Sequence, residues 1–326
     1  MFKDLIIYRI AADWLADFAA LEEALGKAPF AECGPTQQSS EGWTPPRGEE
    51  NGALAESVAG QWMLRYTTEE KILPASVVAR KVEQKAKAIE DAEGRKPGKK
   101  ERRGLKDEAI LDLLPTSHTK ISAMWVWINP TARLLMVCTG TQARADVVTS
   151  MLVQLLPGFA LALLDTQTAP QAAMGQWLYD QEAPTGFSID RACELRATDE
   201  SKAVVRYGSH PLDIREVREH IKQGKRPTRL ALTYDDRVSF VLNQALQIRG
   251  IQMLDSTTDG RAQDVDAFDA DVALATGELT RLIPALVDAL GGEGRQELGR
   301  GLAPHNPNAT GPATAPTDTA PDESPF

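Results

Sequence analysis

Cysteine is scarce: three in 326 residues, at positions 33, 138 and 193. Three widely spaced thiols make no even disulfide framework, and without a CxxC they do not form a common zinc site. Histidine is nearly as rare. The four (His118, His210, His220, His305) lie at least ten residues apart, so no helix carries the i,i+4 pair of a histidine metal site. Each reads as a surface or hydrogen-bonded side chain. No apolar run approaches the roughly 18 residues of a membrane-spanning helix. Met1 to Tyr8 lacks the basic, apolar and small-residue order of a signal peptide, so a cytoplasmic protein is expected. GxxxxGK[ST], GxGxxG after a strand, HExxH and GxSxG are all missing. A nucleotide cradle, a zincin helix and a hydrolase elbow are therefore not expected, and no cofactor is called for.

What is present is an ordinary globular makeup, 42% hydrophobic and 25% charged, with enough length for a real core. At roughly 150 residues per domain the chain holds about two domains or one large unit. Net charge is −10, which by itself repels a polyanion. The distribution says something different. Lys71 to Lys106 carries twelve Lys/Arg against five Asp/Glu, whereas Asp255 to Glu293 carries nine acids against two bases. A chain polarised in this way can hold a polyanion at its positive pole.

Patterning predicts an α+β fold of antiparallel sheets with separate helices. Asp4–Ile10 reads as a strand, and Asp13 as the cap of a helix bearing Trp14, Phe18, Leu21 and Leu25 up to Gly26. Residues 33–60, rich in Gly, Pro, Ser and Glu, read as a long loop. Trp62, Leu64 and Tyr66 alternate as in a half-buried strand. A helix is expected over Ala75–Glu93, a mobile basic loop over Gly94–Gly104, and a second helix over Leu105–Leu114 stopped by Pro115. Met124–Ile128 and Leu134–Cys138 form a hairpin, Thr141 caps a helix, and Phe159–Leu164 is a short strand. Further on come strands over Ala192–Arg196 and Ala203–Arg206 and a polar helix over Leu212–Gln223. A meander over Arg229–Thr233, Val238–Leu242 and Leu246–Met253 follows, then a long helix over Phe268–Leu290. Residues 301–326, with six prolines and five alanines, read as a disordered tail after a 1–300 folded body.

The clearest chemical signal is basic. On the 75–93 helix Arg80, Lys81, Lys85 and Lys87, with Lys71 just ahead, recur at helical spacing and can follow a phosphate backbone. A second group, Lys222, Lys225, Arg226 and Arg229, can flank the same groove. Such contacts give affinity without sequence preference. The bland alternative is a solvated helix face with pairs such as Glu83–Lys87. Asp264, Asp266, Asp269 and Asp271 could place Asp264 and Asp271 on one helix face to hold Mg²⁺ for phosphodiester cleavage, or simply favour the positive end of a helix. The acidic 255–293 stretch could also dock a protein partner. Trp125 and Trp127 share a strand face, suited to base stacking or, more simply, to the core. The three cysteines have no neighbouring base in sequence and read as inert.

Five segments in order resemble one family. They are Gly42-Trp43-Thr44-Pro45-Pro46, Glu69-Glu70-Lys71-Ile72-Leu73-Pro74, Leu105-Lys106-Asp107-Glu108 running to Leu113-Leu114-Pro115, His220-Ile221 through Gly224-Lys225 to Leu230-Ala231-Leu232, and Thr276-Gly277-Glu278-Leu279 leading to Leu290-Gly291-Gly292-Glu293. Together they make the chain similar to the bacterial recombination-associated RdgC family from about Phe2 to Glu293. The resemblance implies a non-enzymatic, nucleoid-associated protein whose horseshoe subunits close into a head-to-head, tail-to-tail homodimeric ring. Such a ring encircles double-stranded DNA, with single strands a further substrate, and restrains RecA. Lys71 and Lys225 sit inside the matching segments. Thr116–Lys120 and Tyr207–Pro211 depart from the pattern and are the expected subunit contacts, through His118, Ser209 and His210. His118 stands where a bulkier apolar contact would suit a closed interface. The 301–326 tail has no counterpart.

Overall fold

The described residues form two antiparallel sheets and the helices packed on them. The computed structural model describes residues 1–254 and 265–294, so the 301–326 tail and Asp264 lie outside the described residues. The first sheet contains β1 (Ile6–Ile10), β2 (Ser39–Thr44), β3 (Ala55–Val58), β4 (Gln61–Lys71), β5 (Thr119–Asn129), β6 (Leu134–Val137) and β7 (Leu161–Leu163). Its order is β2-β4-β5-β6-β1-β7, with β3 also paired to β4. The second contains β8 (Phe187–Arg196), β9 (Val204–Tyr207), β10 (Arg226–Tyr234), β11 (Val238–Asn243) and β12 (Ile248–Met253), in the order β12-β11-β10-β8-β9. All pairings between these strands are antiparallel, as expected of an α+β fold.

Both faces of the first sheet are covered, which corrects the half-buried reading of residues 62–66. Trp62, Leu64, Tyr66 and Val126 meet α1 (Phe18–Leu25) and α4 (Gln142–Leu155) through Leu21, Leu25, Val148 and Leu152. Met63, Trp127 and Met136 point the other way, into a core shared with Leu230, Leu232 and Phe240 of the second sheet. That core is completed by α5 (Pro170–Asp180) and α7 (Val265–Ala289), through residues such as Trp177, Leu282 and Leu286. A strand buried on both sides has no polar face to alternate, so period-2 reading understates it. Trp127 is fully buried and its Nε1 donates to Gln61 at 2.8 Å. Core packing, not base stacking, is its role. The two sheets are tied by a backbone pair, Leu5 N–H to Ile248 C=O at 2.7 Å and the reverse at 3.1 Å, and by Arg249 donating to the Gly140 carbonyl.

Three local expectations change. Asp17, not Asp13, caps α1, its carboxylate accepting from the N–H groups of Ala19 and Ala20 at 3.0 and 3.2 Å. Only a residue directly ahead of the first helical N–H groups can reach them. Residues 33–60 are not one loop, because β2 and β3 both pair with β4. Ladder hydrogen bonds there override weak strand propensity. Gly42 is required in β2, since a Cβ there would lie 2.6 Å from Phe30 backbone atoms. Helix α5 had no sequence cue beyond Ala169-Pro170, with Pro170 in its first turn. No helix among the described residues is long and apolar enough to cross a membrane.

Candidate nucleic-acid interface

The basic segment forms an arm inserted between β4 and β5. It consists of α2 (Ala75–Glu93), α3 (Lys99–Leu113) and a 3-10 turn at Leu114–Thr116. At 1.5 Å per residue, α2 is about 28 Å long. Its strands are paired to the end, Lys71 standing opposite Thr119. The helices pack on each other through Val78, Ala86, Leu105 and Ala109, all buried and belonging to neither main core. The expected mobile loop over Gly94–Gly104 is therefore half helix. Gly94 ends α2 at φ 70°, and Gly98 N–H donates to the Glu101 carboxylate at 3.3 Å as α3 begins. Glu101, held by Arg95 and by that N–H, keeps a pKa below the usual carboxylate range.

Helical geometry divides the basic row in two. Lys81 and Lys85, four apart, face α3. Lys85 Nζ lies 3.0 Å from Glu108 and 3.1 Å from Asp112, and Lys81 lies 3.9 Å from Asp112. The hydrogen bonds that Lys85 donates to the Glu108 and Asp112 carboxylates push its pKa up. Arg80 and Lys87, seven apart and so two turns along one face, are exposed and make no ion pair among the described residues. The ion pairs thus run between the helices, as in Arg102–Glu83 at 2.9 Å, and not along α2 as Glu83–Lys87 would have it. Lys71 is half-buried. Its Nζ donates to the Pro35 and Leu114 carbonyls at 3.0 and 2.9 Å, joining the arm's root to the body. Sequence reasoning missed Lys99, Lys100, Arg103 and Lys106, exposed on α3. Lys99, Arg103 and Lys106 recur at i, i+4 and i+7, a signal that assigning the segment to a loop concealed.

The second basic group lies where α6 (Arg215–Lys222) leads into β10. Lys225 Nζ donates to His220 Nδ1 at 3.0 Å. Lys222 lies 3.7 Å from Glu219 and 6.0 Å from the Tyr179 ring centroid. Arg226 and Arg229 are exposed on β10. Their cross-strand neighbours include Arg196 opposite Arg226, and Glu194 between Arg206 and Arg229. Arg196 and Arg206 were not anticipated, because only the register brings them to this group.

The expected subunit contacts are exposed. His118 precedes β5, and its carbonyl accepts from Ile72 N–H at 2.8 Å. Ser209, at φ 54°, and His210 follow β9. The His210 Nδ1–H donates to the Pro211 carbonyl at 2.8 Å. The acidic alternative is less well assembled. Asp269 on α7 accepts from Arg47 at 2.7 Å, Asp271 is exposed on the same helix, and Asp264 lies outside the described residues. Among the described residues no group of three or more His, Cys, Asp or Glu is placed to hold a metal. Burial raises the thiol pKa of Cys193 to about 12 and that of Cys138 further. Cys33 is raised by burial and by Glu69.

Comparison with known proteins places the chain in a family. The sequence profile described as "Putative exonuclease, RdgC" matches residues 1–293. Proteins named recombination-associated protein RdgC are similar along nearly their whole length. That of Dechloromonas aromatica (strain RCB) is 42% identical over 299 residues, covering 90% of this chain and 98% of the relative. That of Herminiimonas arsenicoxydans is 43% identical over 296 residues, with the same coverage. That of Bordetella pertussis is 40% identical over 298 residues, covering 90% and 99%. With a profile spanning all the described elements and relatives at this level of identity, the chain belongs to the RdgC family.

Proposed function

We propose that this protein binds double-stranded DNA without sequence preference, as a homodimeric ring of horseshoe subunits, and restrains RecA-dependent recombination without itself being an enzyme. The observation that carries the DNA reading is charge placement. In a chain of net charge −10, exposed cations that make no ion pair among the described residues include sets on two structured surfaces. Arg80, Lys87, Lys99 and Arg103 lie on the outer faces of the arm, and Arg226 and Arg229 on β10. Helix faces and strand faces of this kind meet phosphates and sugars, which fix register on the duplex but read no base. Acidic surface elsewhere limits nonspecific adhesion.

A folded body over 1–300 with a separate 301–326 tail belongs to the same reading. The dimer reading draws on the arm's root. Ile72, which is hydrogen-bonded through its backbone to His118, and Ile121, three residues beyond His118 on β5, are 50% and 58% exposed, and apolar side chains open to water suit a subunit contact. Enclosure lets modest phosphate contacts give long residence, because release requires a gate to open or the ring to slide off an end. A duplex so covered competes with a recombinase filament for the same backbone, with no need of ATP or a metal.

Negative-stain images of the purified dimer should show an annulus, and two unrelated duplexes should bind within a few-fold of each other. A compact particle, or strong preference for one sequence, would count against the reading. The family description's word "exonuclease" supplies a second reading. Incubating the protein with linear duplex and Mg²⁺ decides it: loss of ends above an Asp271→Asn control would establish cleavage.

A further inference from the structure

Strand β10 carries a bulge where it pairs with β8. Arg226 stands opposite Arg196, Pro227 opposite Leu195, and Arg229 opposite Glu194, so Thr228 is the extra residue. In a regular strand, residues three apart point to opposite faces. The bulge cancels that parity and puts Arg226 and Arg229 on one face. The same face receives Arg196 and Glu194, two apart on β8, and Arg206 of β9, directly opposite Glu194. Leu195, Leu230 and Leu232 of the same strands turn the other way, into the core.

The result is a grid of four arginines around one carboxylate. The Glu194 side chain is only 8% exposed, whereas those of Arg206 and Arg196 are 73% and 50% exposed. Arg206 Nε donates to Glu194 Oε2 at 2.7 Å, Thr228 Oγ1 donates to Oε1 at 2.8 Å, and Arg196 lies 3.6 Å from Oε1. Held by Arg206 first and then by Thr228, Glu194 keeps its pKa below the usual carboxylate range and stays ionised. A single buried anion cannot neutralise four guanidiniums, so the grid retains net positive charge. Its rows are about 7 Å apart along the strands and its outer columns about 10 Å apart across them. One small anion can engage part of such an area, while a chain of phosphates can engage all of it.

We infer that the outer face of β8, β9 and β10 is a phosphodiester-backbone site, in which Arg196, Arg206, Arg226 and Arg229 touch the nucleic acid and Glu194, with Thr228, is a positioning residue that fixes the arginine heads. The inference rests on the duplex-binding reading above and assigns part of that contact to this face. Removing the Glu194 charge makes the protein more positive, so simple attraction demands tighter binding by Glu194→Gln. Positioning demands the reverse.

The test is fluorescence anisotropy on a labelled duplex of about 30 base pairs, from 50 to 200 mM NaCl, with thermal melts alongside. Arg206→Ala/Arg229→Ala, made at exposed side chains, is expected to weaken binding at least tenfold and to reduce the log–log salt slope by about 2, at roughly 0.9 per lost contact. Glu194→Gln is expected to weaken binding several-fold with a reduced slope, and Glu194→Asp to recover part of it. Equal or tighter binding by Glu194→Gln with an unchanged slope would overturn the positioning role. An unchanged Arg206→Ala/Arg229→Ala protein, while arm variants lose affinity, would overturn this site and leave the duplex reading standing. Absence of duplex binding by the unaltered protein would instead remove the reading on which the site rests.

Discussion

The division of the arm's cations between inward and outward faces makes a quantitative prediction. In Arg80→Gln/Lys87→Gln/Lys99→Gln/Arg103→Gln, four exposed charges that make no ion pair among the described residues are removed. The α2–α3 seam of Val78, Ala86, Leu105 and Ala109 is untouched. If each cation meets a phosphate, the slope of log K against log[salt] falls by about 0.9 per contact, up to about 3.6 in all. Over a fourfold rise in salt, each lost contact flattens the loss of affinity by a factor of roughly 3.5. The matched control is Lys81→Gln/Lys85→Gln, which removes the charges facing Glu108 and Asp112. It should loosen the arm, seen as faster proteolysis within 71–120, and leave the slope within about one unit of the unaltered value. Anisotropy titrations at four salt concentrations give both slopes. A large slope change in the control with none in the quadruple variant would refute the assignment of faces.

Three further outcomes follow from particular contacts. Pro284 sits exposed inside α7 and cannot donate the i→i−4 hydrogen bond. Pro284→Ala should therefore raise the thermal midpoint, with about 1–3 kcal/mol of added stability; an unchanged or lower midpoint would show that the kink is needed for packing. Cys138 and Cys193 have strongly raised thiol pKa values, so a thiol reagent at pH 8 should label at most Cys33 quickly in the native protein and all three after denaturation. Rapid labelling of Cys193 would contradict its burial.

The third concerns Glu69, buried near the arm's root. Its carboxylate accepts from Cys33 N–H at 2.6 Å and from Thr119, which lowers its pKa below the ordinary 4.5. A depressed pKa stabilises the fold above the unfolded value, and that contribution is lost as pH falls through the folded one. Glu69→Gln should melt lower than the unaltered protein at pH 7, and the two midpoints should converge towards pH 3. A constant gap across that range would assign the effect to shape instead of charge.

The strands and helices with strong periodicity were legible from sequence. The Ala75–Glu93 helix and the 226–253 meander lie close to where apolar spacing puts them. Edge strands β2 and β3 were hidden because their stabilisation comes from pairing with β4 and not from their own Ser, Gly and Glu residues. The candidate site was legible as charge but not as direction. Arg80 and Lys81 are adjacent in sequence, yet one faces solvent and the other α3. The arginine grid was hidden more deeply, since it depends on the register of three strands and on one bulge at Thr228.

Enclosure of the duplex is the claim on which the proposed activity depends, and escape over free ends measures it most directly. Protein loaded on a linear duplex is challenged with excess unlabelled DNA, with the ends either free or capped by bulky protein blocks. An enclosing ring should dissociate markedly more slowly when both ends are capped. Identical dissociation rates with free and capped ends would contradict enclosure.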